Sequence, residues 1–290
     1  MKTTPLRQKF IEILTLKGYS PRTLESYISV VCQLAKYYHR PPDQLSDEEV
    51  RAYLYHLHTH STYSASTLNV VINGLRLFYR VVLERSLGRL EFALPRFKKP
   101  VRRPQAYSLE EVHQLLEKGF RKCKDRAFFM TLYGAGLRLN EACHLKADHI
   151  DSARMVIRVV QGKGQKDRYA LLPQQLLGEL RTYWEACRPK EWLFPSTQDP
   201  QQPMNDRTAQ AAFNQALQRA GLPRKGGPHC LRHSWATHMI EAGAPLHVIK
   251  ELLGHNSVMT TAGYLHISKQ ALDRVQNPLD SMPWPKPPAL

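Results

Sequence analysis

Apolar residues recur along the first hundred positions at steps of three and four. Leu24, Tyr27, Ile28, Val31, Leu34, Ala35 and Tyr38 form one such stripe, the period of an amphipathic helix with one buried face. It follows Ser20-Pro21, a capping hydroxyl and then the one residue whose missing N–H costs nothing at a first helical position. A shorter stripe runs from Leu6 to Leu16. Ser46 with Glu49 makes a capping box ahead of Val50, Tyr53, Leu54 and Leu57, and another helix starts near Ser66 with Leu68, Val71, Ile72, Leu75, Phe78, Tyr79 and Val82. These predict a bundle of about four helices. His56, His58 and His60 stand two apart, a spacing that fans them around a helix as solvated side chains.

The pattern breaks at Arg96-Phe97-Lys98-Lys99-Pro100-Val101-Arg102-Arg103-Pro104, with two prolines, five cations and no apolar period. Beyond it, Ser108 and Glu111 form a further capping box, and helices are expected to about Leu145. The period then changes to two: Met155, Ile157 and Val159 alternate with Val156 and Arg158 before Gly162-Lys163-Gly164 and a second run from Tyr169 to Leu172, which predicts a β-hairpin. Helical spacing resumes over Leu176–Tyr183, Thr208–Ala220, Leu231–Ala242 and Leu246–Leu253. Pro278 to Leu290 holds five prolines and is expected to be an irregular arm. The fold class is mainly α (α+β), in three stretches: a helical domain over 1–95, a basic linker over 96–106, and a domain over 107–290 that is helical with a small hairpin or sheet and ends in the proline-rich tail.

Composition narrows what such a chain does. Its 290 residues carry 41 Lys+Arg against 25 Asp+Glu, a formal +16, and both the first hundred residues and the remainder share the surplus. A cationic surface along the whole molecule favours a polyanion such as nucleic acid over a single basic tail. With 42% hydrophobic residues it builds true cores, and no run of about 18 apolar residues predicts a membrane span. Arg7, Lys9 and Glu12 interrupt the N-terminal apolar residues, against a signal peptide. The five cysteines (Cys32, Cys123, Cys143, Cys187, Cys230) are scattered, without CxxC pairs, against a disulfide framework or cysteine zinc site and in keeping with a reducing cytoplasm.

Four stretches of the second domain carry unusual polar groups. In Gly134-Ala135-Gly136-Leu137-Arg138-Leu139-Asn140-Glu141, Arg138 and Glu141 are three apart, so a carboxylate can aim a guanidinium; an ordinary surface ion pair has the same spacing. Lys163 stands between glycines at the hairpin tip, with Lys166 and Arg168 just after. In Gly227-Pro228-His229-Cys230-Leu231-Arg232-His233, His229 and Arg232 share a face at a helix N-terminus, a place suited to phosphate. His229 and His233 at i,i+4 could instead bind zinc, although Cys230 stands where a metallopeptidase has Glu. The last is Leu252-Leu253-Gly254-His255-Asn256-Ser257 with Tyr264 nine residues after His255. Two arginines, two histidines, a lysine and a tyrosine suffice for phosphodiester transfer without a metal. Guanidinium and imidazole donors stabilise charge on the non-bridging oxygens, a hydroxyl attacks, and a lysine protonates the leaving oxygen.

The boxes GAGLRLNEA, GKGQKDRYALLP, HCLRHSWATHMIEAG and LLGHNSVMTTAGYLH resemble, in order and spacing, the catalytic motifs of the tyrosine recombinases (the phage integrase family), most nearly its Xer-type branch. The resemblance spans about Tyr107 to Ser268; more loosely, the N-terminal helices are similar to the family's SAM-like core-binding domain. It implies a site-specific recombinase using neither metal nor other cofactor. Arg138 and Arg232 would clamp the scissile phosphate with His255, His229 would be general base or proton relay for Tyr264, and Tyr264 would form a 3′-phosphotyrosyl link. Lys163 would protonate the 5′-oxygen, with Glu141 supporting Arg138. Lys98, Lys99, Arg102, Arg103, Lys166 and Arg168 are the expected DNA-binding cations. The partner implied is a specific double-stranded DNA site, bound by a homotetramer of subunits that are monomers in solution, in the bacterial cytoplasm at the nucleoid. Cys230 stands where Xer-type sequences have Asp, and the proline-rich tail departs from the family's usual C-terminal helix. No arm-binding domain is expected ahead of the bundle. A non-catalytic DNA-binding protein on the same fold and a basic zinc hydrolase are the competing readings.

Overall fold

A computed structural model of the chain describes residues 4–85, 97, 105–160, 167–254 and 278–282. The chain divides into two compact units, Met1–Arg102 and Arg103–Leu290.

The first unit is built from α1 (Pro5–Leu16), α2 (Pro21–Tyr38), α3 (Asp47–His60) and α4 (Ala65–Val81). Each opens on a hydroxyl. Thr4, Ser20, Ser46 and Ser64 accept from the N–H groups of Arg7, Thr23, Glu49 and Thr67, satisfying donors that no helix can pair internally. Glu49 completes the expected box by accepting the Ser46 N–H at 2.8 Å. Ile28, Val31 and Leu34 of the predicted α2 stripe are buried, and they meet Phe10, Leu14, Val50, Leu75 and Phe78 in one core. The histidines of α3 do not all fan apart: His56 and His60, one turn apart, stack at 4.9 Å, while His58 lies 4.7 Å from Phe97. Phe97 is the described residue of the basic strap. Asn69 of α4 holds it from both sides, its amide donating to the Phe97 carbonyl and its oxygen accepting the Phe97 N–H, each at 3.0 Å.

The second unit begins with α5 (Leu109–Lys118), whose Ser108–Glu111 capping box is complete. Next comes α6 (Cys123–Gly134), in which every residue from Arg126 to Gly134 is buried, as suits a helix at the centre of a domain. Its one interior charge, Arg126, forms a two-pronged pair with Glu179, at 2.9 Å from Nε and 2.5 Å from Nη2. Then come the short α7 (Leu139–Cys143) and the strands β1 (Ile150–Asp151), β2 (Val156–Val159) and β3 (Arg168–Leu171). β2 pairs antiparallel with β3, Ile157 opposite Ala170 and Val159 opposite Arg168, as the hairpin pattern requires. β1 adds an edge that its two residues were too few to announce. α8 (Gln174–Cys187), α9 (Asp206–Arg219), α10 (His229–Glu241) and α11 (Leu246–Leu253) follow, each within a few residues of its predicted span.

The tail departs from expectation. Pro278–Ser281 forms a final turn of helix, α12, and Leu279 is fully buried in the domain core. The Leu279 side chain lies against Gly134, where an added Cβ would come within 2.7 Å of it, and Asp280 accepts the Gln175 N–H at 3.3 Å. Proline does not prevent this turn, because it occupies the first helical position. Among the described residues, no helix is long and apolar enough to cross a membrane.

Candidate active site

The chain reaches the site through a glycine. Gly136 has φ +59°, and a Cβ there would sit 2.7 Å from the Trp235 ring; only glycine fits both the backbone and the space. That close approach lets the Gly136 carbonyl accept from Arg232 Nη1 at 2.8 Å. Two residues on, Arg138 caps α7 in extended conformation. Glu141 reaches back to it twice, taking the Arg138 N–H at 2.8 Å and Nη1 at 2.7 Å. This is no ordinary surface pair, since the two side chains are 20% and 5% exposed.

Glu141 is the centre of a larger set. Arg168 Nη2 donates to Oε2 at 2.6 Å, and Arg232 Nη1 stands 3.7 Å from the same oxygen. Burial alone would raise the carboxyl pKa. The Arg168 charge, then the hydrogen bonds and charge of Arg138, more than offset it and leave Glu141 below its ordinary value. Three guanidinium groups thus face one carboxylate, leaving a positive surplus in a sparsely solvated place, where it acts with far more force than in water.

The same arginines claim the end of α11. Arg168 Nη1 donates to Leu252 O at 2.5 Å, Arg232 Nη2 to Leu253 O, and Arg138 Nη2 to Gly254 O at 2.8 Å. The last carbonyls of a helix have no internal partner and carry the negative end of its dipole, so three cations fit there on both grounds. Gly254 turns the chain off the helix at φ +60°.

His229 is the first residue of α10, one turn before Arg232. Its exposed imidazole has a pKa pulled down to about 4, by partial desolvation first and then by the neighbouring positive charge of His233, Arg232 and Arg138. It is therefore neutral near pH 7 and able to accept a proton. His233 is lowered too, by burial and Arg232. Its ring lies 4.9 Å from that of His229, edge to face, and among the described residues no third histidine, cysteine or carboxylate joins them as a metal-holding group.

Of the residues expected to act, Arg138, Glu141, His229 and Arg232 come together here. Lys163, Lys166, His255, Tyr264, Lys98, Lys99, Arg102 and Arg103 lie outside the described residues. Arg168 requires a correction. Expected on the DNA-facing surface, its side chain is 6% exposed and bonded inward to Glu141 and Leu252. A signal was present in the sequence: strand alternation puts Arg168 on the same face as Ala170, and the exposed Tyr169 faces the other way.

Comparison with known proteins covers most of the chain. A model of the phage integrase family matches residues 105–271, and a model of the phage integrase N-terminal SAM-like domain matches residues 6–89. A Sinorhizobium fredii protein bearing an integrase/recombinase name is 40% identical over 98% of this chain and 91% of its own. The tyrosine recombinase XerA of Thermococcus kodakarensis is 34% identical over 93% of each chain. Among solved structures, a lambda integrase tetramer bound to a Holliday junction shares the fold. Its TM-score is 0.68 at 20% identity, covering 87% of this chain and 76% of that one.

Proposed function

This chain belongs to the phage integrase family and is a site-specific recombinase that cleaves and rejoins DNA, and we propose how its residues divide that reaction. The observation that carries the proposal is the surplus of guanidinium charge around Glu141, with the His229 imidazole one helical turn from Arg232. Arg138 and Arg232 hold the scissile phosphate and stabilise the charge that grows on its non-bridging oxygens. His255 adds a further hydrogen bond. The Tyr264 hydroxyl attacks phosphorus and passes its proton to His229, or through it. The bond to the 5′-oxygen breaks as Lys163 supplies that oxygen with a proton. The product is a 3′-phosphotyrosyl ester and a free 5′-hydroxyl. Because the ester keeps the phosphodiester's bond energy, a 5′-hydroxyl from a partner strand rejoins the backbone by the reverse steps, without ATP.

The substrate is a specific double-stranded DNA site, bound at the nucleoid, where monomers from solution assemble as a tetramer on two duplexes. The basic strap, with Lys98, Lys99, Arg102 and Arg103, and Lys166 after the hairpin turn supply backbone contacts. Family membership supports this, as does the fold shared with an integrase solved as a tetramer on a DNA junction.

The test uses duplexes selected by the full chain from a random-sequence pool and rebuilt with a nick beside the cleavage point. Arg138→Ala and Arg232→Ala should each slow adduct formation by about 10²–10³-fold, the usual loss when one oxyanion donor is removed, while duplex binding survives. Loss of binding together with cleavage in equal measure would overturn the clamp assignment.

A further inference from the structure

Arg168 has no place in the division of roles above, yet it is among the most firmly held side chains of the catalytic unit. Resting on that division, we propose that Arg168 is a positioning residue of the recombination reaction, registering β3, which follows Lys163 in the chain, and the end of α11, which precedes His255, on the Glu141 carboxylate. Arg168 opens β3, five residues after Lys163 in the chain. One prong of its guanidinium takes Glu141 Oε2 at 2.6 Å, and the other takes Leu252 O at 2.5 Å. Its stem lies beneath Gly254, where an added Cβ would stand 2.7 Å from Arg168 Cδ and 2.9 Å from Nε. His255 is the next residue. The hairpin, the end of α11 and the Arg138 loop are therefore indexed to a single carboxylate by one side chain.

Two physical consequences follow. Groups acting together on one phosphate must be held within a fraction of an ångström, and a 1 Å displacement costs about 10²-fold in rate. A planar fork holds two acceptors at fixed angles; an ammonium does not. Arg168 also shares Oε2 with the Arg138 N–H, which leaves Oε1 to the Arg138 guanidinium. Without it, Oε2 would draw Arg232 Nη1 in from 3.7 Å and quench charge intended for phosphate.

Arg168→Ala, Arg168→Lys and Gly254→Ala in the full chain test this on the selected duplexes. Arg168→Ala should bind duplex within about threefold of wild type while forming adduct about 10²-fold more slowly, and Lys should restore little of that rate. Its Gly254 amide should exchange with solvent at least tenfold faster, with exchange in α4 unchanged. The acid limb of the rate profile should move to higher pH, because Glu141 loses the cation that most strongly holds it ionised while still facing Arg138 ahead of α7 and Arg232 and His229 of α10. Gly254→Ala, which pushes on the same stem, should reproduce the rate loss on its own, so the test stands even if Arg168→Ala folds poorly. Adding Gly254→Ala to Arg168→Ala should slow the reaction little further, since residues in contact are not additive. Wild-type cleavage rates in Arg168→Ala, full rescue by Lys, or a rate loss matched by lost affinity would each overturn the proposal. If Arg138→Ala alongside still forms adduct normally, the failure lies with the phosphate clamp and not with Arg168.

Discussion

His229 illustrates how one residue type takes its chemistry from its neighbours. A free imidazole titrates near 6.5; here desolvation and the adjoining guanidinium charge bring it to about 4. Because the folded value lies below the unfolded one, the unfolded chain takes up a proton in that window and the folded protein does not. The contribution of His229 to stability is therefore present above about 6.5 and is lost as pH falls through about 4. An NMR titration of the His229 ring should give a value near 4 in the protein alone, and a higher one when a bound phosphodiester adds negative charge beside it. A value near 6.5 would mean that desolvation and the adjoining guanidinium charge do not act on the ring as described. At this scale the sequence was informative wherever spacing alone brings groups together, as for Arg138 with Glu141 and His229 with Arg232. Arg168 was easily misread, because a charged residue between Asp167 and Tyr169 looks like surface until the strand's alternation is applied to it.

At the scale of elements, legibility followed length and punctuation. Helices with a hydroxyl cap and several apolar turns, such as α2, α3 and α5, were readable because capping and burial agree. β1 was not, since two residues cannot show a period and their strand state comes only from pairing with Ile157 and Val156. The tail was misread because counting prolines ignores where in a turn each one falls; Pro278 begins α12, and Leu279 fills space that Gly134 leaves open. Leu279→Ala should accordingly destabilise the full chain by about 2–4 kcal/mol, the cost of emptying a buried leucine site, as measured by urea unfolding. An unchanged midpoint would mean that this turn contributes nothing to the core. The buried Arg126–Glu179 pair makes a sharper case. Glu179→Gln removes the carboxylate that the Arg126 guanidinium bonds twice and should cost about 3–5 kcal/mol in the same urea unfolding.

For the whole molecule, the +16 of the sequence is not one undivided DNA-binding charge. Arg126 and Arg168 are buried against Glu179 and Glu141, so part of the surplus organises the catalytic unit from within. The expected groove and backbone contacts fall to cations such as those of the strap. Neutralising Lys98, Lys99, Arg102 and Arg103 together to Ser should weaken duplex binding about equally for all sequences. It should also flatten the log K against log salt slope by about one for each phosphate that the strap no longer neutralises. An unchanged slope would place the strap away from DNA. The family was recognisable in the sequence because four short boxes resemble its motifs in order and spacing, and the family model matches across them. Which cations face DNA was not, because composition does not say which way a side chain points.

Covalent chemistry at Tyr264 is tested by incubating the full chain with a nicked suicide duplex and mapping the DNA-linked peptide by mass spectrometry. The expected result is a 3′-phosphotyrosyl adduct at Tyr264 that is absent from Tyr264→Phe; an adduct that persists in Tyr264→Phe, or no adduct with the wild-type chain, would contradict it.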